Sequence, residues 1–378
     1  MTAIWSFPTR IVFGAGEVSR VGAEARSFAM SRVLIVTDPG VLKANIVGKV
    51  VESLEAADIK VSVFSGVDGN PTEANVEAGA KAYSEFGANG IVAIGGGSPM
   101  DAAKVIALRT RSERPLADFD DAINGGKHIM PGIPPMIQIP TTAGTGSEVG
   151  RAAVVTLEAT GKKTVIFSPY LLAKVAILDP TLTLSMPGPT TAATGFDALT
   201  HCLEAYLAVG DHPMADAIAL SGIELVHKHL LTAMSQGTDL EARGGMMKAA
   251  MMGAVAFQKG LGACHSLAHP LSAECGLHHG LANALCLPAV VSFNEEAVPE
   301  RVFHIALLLG SEAKRGACRQ ALRDLRTALK LPSSLREVGV PRDLLPKLAD
   351  LAFEDACHRE NPRPCTRDDM FALYEASY

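Results

Sequence analysis

The chain has 378 residues, too many for one ordinary compact core, so two domains are expected. With 48% hydrophobic and 20% charged residues it can bury enough apolar surface to offset the entropy of ordering, which excludes a largely disordered chain. The net charge of −6, from 34 Lys and Arg against 40 Asp and Glu with no basic block, argues against nucleic acid as a partner, because phosphate recognition needs clustered cations.

Strand-like and helix-like segments alternate through the first half. Arg10–Phe13 reads as a strand before Gly14-Ala15-Gly16, and Arg32–Thr37 as a strand ending at the turn Asp38-Pro39-Gly40. Val41–Ala57 has helical spacing, Lys60–Phe64 is strand-like, and Thr72–Phe86 is an amphipathic helix. Gly90–Ile94 is an apolar strand running into Gly95-Gly96-Gly97, with a helix over Ala102–Leu108, and Met136–Ile139 closes the series at Pro140. This alternation predicts a parallel, doubly wound sheet. Beyond Leu184-Ser185-Met186-Pro187 strand signals vanish, and Thr191–Val209, His212–Met234 and Asp239–Gly260 carry helical periodicity. The expected division is an α/β domain over 1–185 and an all-helical domain over 186–378, with ligands in the cleft between them.

Seven cysteines (Cys202, Cys264, Cys275, Cys286, Cys318, Cys357 and Cys365) form no CxxC pair, and no secretory signal opens the chain. They read as reduced thiols of a cytoplasmic protein. No apolar run reaches the roughly 18 residues that a membrane span needs, the richest, Met246–Phe257, being broken by Lys248. No membrane partner is expected.

Three glycine loops compete as phosphate sites. Gly14-Ala15-Gly16, with Asp38 24 residues beyond Gly14, superficially fits a dinucleotide fingerprint, but Ser19 stands where the third glycine belongs, and an ordinary turn explains it equally. Gly95-Gly96-Gly97-Ser98-Pro99-Met100-Asp101 follows the most apolar strand and opens a helix. There the backbone can approach a phosphate, and free N–H groups favour an anion. Thr141-Thr142-Ala143-Gly144-Thr145-Gly146-Ser147-Glu148 alone reads either as a polar turn or as a hydroxyl-rich binding loop. Two such loops after successive strands of one sheet favour binding.

Eight of the eleven histidines fall between residues 201 and 279, a concentration that suggests a metal. Asp197 and His201 are four apart on a predicted helix, His265 and His269 are again four apart, and His279 follows ten residues later. One carboxylate with neutral imidazoles suits a borderline divalent ion such as Fe2+ or Zn2+. His278 would point away from its neighbour, and His212, His227 and His229 read as solvated. Cys202 and Cys264 read as packing residues.

The segments GGGSPMDAAK (95–104), PTTAGTGSE (140–148), GFDALTHCLEAY (195–206), CHSLAHPLSA (264–273), HHGLANALCLP (278–288) and NPRP (361–364) together resemble the iron-containing (group III) alcohol dehydrogenase family across the whole chain. The resemblance implies an N-terminal dinucleotide-binding α/β domain and a C-terminal helical metal domain, the fold shared with dehydroquinate synthase. It implies metal ligands Asp197, His201, His265 and His279, with His269 as an additional active-site histidine near the nicotinamide and the proton path. It implies cofactor residues Asp38, Asn70, Gly97, Ser98, Asp101, Thr141, Thr142, Thr145 and Lys163, which leaves the Gly14 loop outside the phosphate site. A carboxylate at Asp38 accepts hydrogen bonds from the adenosine ribose and repels a 2′-phosphate, favouring NAD over NADP. The implied reaction is reversible hydride transfer between NAD(H) and a small primary alcohol or aldehyde, in a homodimer or higher homo-oligomer. A dehydroquinate-synthase-type lyase and a maleylacetate-type reductase are the alternatives. Ala152 beside Arg151, and His358-Arg359-Glu360 after Cys357, depart from the diol-oxidising members close to the expected substrate pocket.

Overall fold

The computed structural model describes Phe7, residues 9–158, Gly161 and residues 163–378. The chain divides into two compact units, one of Phe7–Thr142 and Gly146–Ser185, the other containing Ala143–Thr145 and Met186–Tyr378.

The first unit is built on a six-stranded sheet from β1 (Arg10–Phe13), β2 (Arg32–Val36), β3 (Lys60–Phe64), β4 (Gly90–Gly95), β5 (Met136–Pro140) and β8 (Val175–Leu178), in the order β1-β8-β5-β4-β2-β3 with every pair parallel. A separate antiparallel ribbon pairs β6 (Ala152–Thr156) with β7 (Lys163–Phe167). The central strands β4, β5 and β8 are buried along their whole length, as strands of a sheet covered on both faces must be, with Gln138 of β5 paired to Met100 O. Alternate residues serve two cores: Leu34, Val36, Ile91 and Ala93 on one face, Val33, Ile35, Val92 and Ile94 on the other.

The helices of this unit are α1 (Val21–Ser27), α2 (Pro39–Lys43), α3 (Val47–Ala56), α4 (Glu73–Phe86) and α5 (Gly97–Arg109). The single helix expected over Val41–Ala57 is two, because the chain turns at Asn45, whose φ is 56°. The helix expected from Ala102 begins at Gly97, so Gly97 and Ser98 lie in its first turn. The ribbon and β8 extend the strand series beyond Pro140, where the sequence reading closed it. In the ribbon, alternating burial leaves no continuous apolar signal.

The second unit holds α6 (Gly188–Leu207), α7 (Pro213–Ser235), α8 (Leu240–Ala256), α9 (Ala263–Cys275), α10 (His279–Glu295), α11 (Pro299–Leu308), α12 (Ala317–Ala328), α13 (Leu345–Glu354) and α14 (Arg367–Ser377). Helix α6 is its axis, buried continuously from Thr191 to Leu207 and packed by α7, α8 and α10. A helix buried on all sides can only be central. Among the described residues no helix is long and apolar enough to cross a membrane, and the seven cysteines are free.

Two of the histidines read as solvated are buried. The His212 ring caps α7, its Nδ1 accepting from Ala215 N at 3.2 Å. His229 lies against Gly245, where a Cβ would come within 2.2 Å of its ring. His227 is exposed, as expected, and His278 is exposed as well.

Candidate metal centre and dinucleotide loops

In the α/β unit the chain runs from β2 outward to β3 and then returns to the other side of β2 as β4, so strand order reverses between β2 and β4. Loops at such a reversal splay apart and leave a crevice at the carboxyl ends of the strands. Asp38 follows β2 there, and Gly95-Gly96-Gly97 follows β4. One oxygen of Asp38 caps α2, accepting from Gly40 N at 2.8 Å and Val41 N at 2.9 Å. Its other oxygen lies 3.2 Å from where a Cβ on Gly95 would stand. Gly96 is the N-cap of α5 without any side-chain cap, so the first N–H groups of that helix remain available to an anion.

The Gly95 loop and the threonine-rich loop after β5 meet directly. Thr141 N donates to Gly95 O at 2.8 Å, and a Cβ on Gly96 would come 3.4 Å from the Thr142 hydroxyl. Ser98 Oγ donates to Gly69 O at 2.6 Å, which ties the start of α5 to the loop carrying exposed Asn70. Asp101 faces inward, accepting from Ser147 Oγ at 2.6 Å and from Val154 N at 3.1 Å. Lys163 starts β7, where burial lowers its pKa. Thr145 belongs to the helical unit rather than to this one. The rejected Gly14 loop is otherwise committed: Asp179 accepts from Gly16 N and Val18 N at 3.0 and 3.1 Å, occupying the donors that a phosphate would need.

Behind these loops, fully buried Lys104 donates to Ser147 O and Ser147 Oγ at 2.8 Å and to Ala152 O at 2.7 Å. Burial pushes the neighbouring Glu148 carboxyl up from 4.5 to about 7, against the attraction of Lys104. The unfolded chain loses this proton near pH 4.5 while the folded protein keeps it to about 7, so the contribution to stability falls as pH rises through that window. Glu148→Gln, permanently neutral, is expected to raise the melting temperature more at pH 8 than at pH 5. Equal shifts at the two pH values would refute this.

In the helical unit, α6, α9 and α10 converge on one buried point. Asp197, His265 and His279 present ligand atoms that all lie within 4.8 Å of one another. His279 Nε2 is 3.5 Å and His201 Nδ1 4.0 Å from the two Asp197 oxygens. The His201 ring stacks on His265 with centroids 4.6 Å apart. Burial opposes ionisation of Asp197, but His201, His279, His265 and the Asn283 amide outweigh it and hold the carboxyl below its ordinary value. Burial pushes His201 down to about 4 and His279 well below its usual range, so both are neutral imidazoles. Metal ligation requires that state.

Two nitrogens here, His201 Nδ1 and His265 Nε2, are buried without any hydrogen-bond partner. An unpaired buried polar atom costs about 1–3 kcal/mol, and two of them beside an ionised carboxylate fit a divalent cation. The donor set, one carboxylate with imidazoles, suits Fe2+ or Zn2+. His269 adjoins the cluster, its ring stacked on His279 with centroids 5.3 Å apart.

Three partners of these side chains escaped the sequence reading. Glu204 Oε2 lies 2.5 Å from His265 Nδ1. Asn283 Nδ2 donates to Asp197 Oδ1 at 2.8 Å. Asp355 Oδ2 lies 2.8 Å from His269 Nδ1, while its other oxygen accepts from Ser266 Oγ at 2.7 Å and Cys357 N at 2.8 Å. Two of them left a trace: Glu204 falls seven residues after Asp197 on the same face of α6, and Asn283 four residues after His279 on the same face of α10. Cys202 and Cys264 are buried packing residues, as expected. Of the departures near the expected pocket, His358 is buried, stacked on Phe353 and bonded to Phe353 O. The Arg151 guanidinium lies over the Phe167 ring.

Residues 8–180 match the model of the iron-containing alcohol dehydrogenases, and residues 191–378 the model of the C-terminal part of the Fe-containing alcohol dehydrogenase family. The chain is 41% identical over 377 residues to a 4-hydroxybutyrate dehydrogenase of Cupriavidus necator, covering 98% of both proteins. It superposes on a crystal structure of 1,3-propanediol oxidoreductase with a TM-score of 0.96 at 34% identity, covering 100% of both chains. A sulfoacetaldehyde reductase from Bifidobacterium kashiwanohense, solved in complex with NAD+, gives a TM-score of 0.91 at 29% identity, covering 100% of this chain and 98% of that one. With its parallel-sheet unit, its helical unit and these matches along the whole length, the chain belongs to the iron-containing alcohol dehydrogenase family and is a metal- and nicotinamide-dependent oxidoreductase of alcohols and aldehydes.

Proposed function

We propose that this is a cytoplasmic NAD-dependent dehydrogenase of primary alcohols, working reversibly on the corresponding aldehydes. Its α/β domain, residues 1–185, would bind NAD through Asp38, Asn70, Gly97, Ser98, Asp101, Thr141, Thr142 and Lys163, with Thr145 completing the set. Its helical domain, residues 186–378, would hold Fe2+, or Zn2+ where that is the ion supplied, on Asp197, His201, His265 and His279. The two unpartnered imidazole nitrogens beside ionised Asp197 support the metal assignment most directly. A homodimer is the proposed assembly, to be checked by light scattering.

The ion, when bound, acts as a Lewis acid toward an alcohol or carbonyl oxygen. Asp197 supplies negative charge against it, and the Asn283 amide keeps one Asp197 oxygen in place. Asp355, held by Ser266 and Cys357, fixes His269 through Nδ1 and leaves His269 Nε2 to give or take the substrate proton. At the other end of the chemistry, the N–H groups of α5 receive the pyrophosphate, and Asp38 faces the adenosine ribose.

The experiment is metal analysis of the purified protein, then an alcohol and aldehyde panel followed by NADH absorbance. Net NADH formation from a primary alcohol is expected. A lyase of the dehydroquinate-synthase type regenerates its cofactor and would show none, and activity confined to maleylacetate would favour the reductase. Because Asn caps a helix as well as Asp, Asp38→Asn removes the charge while keeping α2 capped. The ratio of kcat/KM for NAD over NADP should fall at least about tenfold, equivalent to about 1.4 kcal/mol of lost discrimination. An unchanged ratio would remove Asp38 from the ribose site.

A further inference from the structure

We propose that Glu204 is a positioning residue of the metal centre, fixing both the tautomer of His265 and the start of the helix that carries it. The inference rests on His265 as a ligand.

Glu204 is almost fully buried on α6, on the same face as Asp197 and His201. Its two oxygens do different work. Oε2 meets His265 Nδ1 at 2.5 Å, and Oε1 accepts from Cys264 N at 2.6 Å. With the ring proton held on Nδ1, the His265 lone pair is on Nε2, the buried atom without a partner. A carboxylate on the far nitrogen of a ligating histidine orients the ring and raises its basicity.

The second contact concerns the helix. His265 is the third residue of α9, whose N-cap, Gly262, offers no side chain to the first N–H groups. Those groups are met from elsewhere, Cys264 N by Glu204 and Ala263 N by Asn361 Oδ1 at 3.2 Å. Asn361 is itself locked to Asn294 by reciprocal amide bonds of 3.0 and 2.7 Å, which gives the NPRP segment a structural role. A helix N-terminus carries partial positive charge and repels a cation placed on its first turn. Glu204 puts a negative charge at that point.

Gly262 leaves room for this arrangement. A Cβ there would stand 2.7 Å from Glu204 Oε1 and 2.9 Å from Asn361 Oδ1. Its φ of −152° is open to any residue, so only space demands glycine.

Glu204→Gln is nearly isosteric but cannot satisfy both neighbours, since His265 Nδ1–H and Cys264 N–H are both donors and an amide has one accepting end. Turning its oxygen to Cys264 points its NH2 at Nδ1, which moves the ring proton to Nε2 and blocks the ligand atom. The full-length protein, stripped of metal, would be titrated with Zn2+ against a chromophoric chelator. Glu204→Gln is expected to weaken Zn2+ binding by about 10–100-fold while the Kd for NAD+ stays unchanged. Gly262→Ala keeps the carboxylate but displaces it, and is expected to shift Zn2+ affinity in the same direction with the α/β unit intact. A purely structural role would lower the melting temperature of the apoprotein and leave the Zn2+ affinity of the folded protein alone. Wild-type affinity in either folded variant overturns the proposal. Failure of the wild type to take up Zn2+ would remove the ligand assignment and this inference together.

Discussion

His265→Ala is expected to lose its metal and at least about 1000-fold in turnover while binding NAD as the wild type does. The magnitude follows from the several kcal/mol of charge stabilisation that a Lewis-acidic ion supplies, at about 1.4 kcal/mol per tenfold. The substitution removes a buried nitrogen that has no protein partner and faces the Asp197 carboxylate. It also leaves Glu204 with Cys264 N alone, so the melting temperature should fall as well. Metal content, NADH formation and NAD titration separate these effects. Full turnover in a rigorously metal-free variant would sink the mechanism.

The second large effect is expected at Gly95. Its φ is +152°, a conformation that costs a residue with a side chain about 1–3 kcal/mol. An alanine Cβ would also stand 2.6 Å from Pro99 Cγ and 3.2 Å from Asp38 Oδ2. Relief requires the start of α5 to move away from the end of β2, where strand order reverses. Gly95→Ala should therefore weaken NAD binding at least about tenfold, a loss of about 1.4 kcal/mol, and lower the melting temperature while the metal content stays at the wild-type level. Fluorescence titration with NADH measures the first effect. Unaltered affinity would mean that this loop does not cradle the dinucleotide.

The sheet was legible from the sequence where apolar or β-branched runs stop at turn residues. Gly90–Ile94 and Lys60–Phe64 appear almost residue for residue as β4 and β3, because burial on both faces of β4, and the β-branched residues of β3, leave a local mark. The break at Asn45 left no such mark. A left-handed residue inside a helical pattern is a matter of backbone conformation rather than of hydrophobic spacing. His212 and His229 misled for a related reason: polar neighbours in sequence do not reveal that one ring turns back to cap its own helix and the other lies against Gly245 of α8.

The sequence by itself determined the two-part plan, the glycine loops and the pairing of acid and histidine side chains on single helix faces, because helix and strand periods act over a few residues. Asp197 with His201, and His265 with His269, share faces for that reason. Only the tertiary structure decided what those side chains meet. Glu204 and His265 are 61 residues apart, and Asn283 and Asp197, like His269 and Asp355, are 86 apart. No local period links such residues. Their bonds exist because α6, α9 and α10 pack together and α13, which ends at Asp355, packs on α9; that packing is driven by the apolar residues around them rather than by the polar groups it aligns.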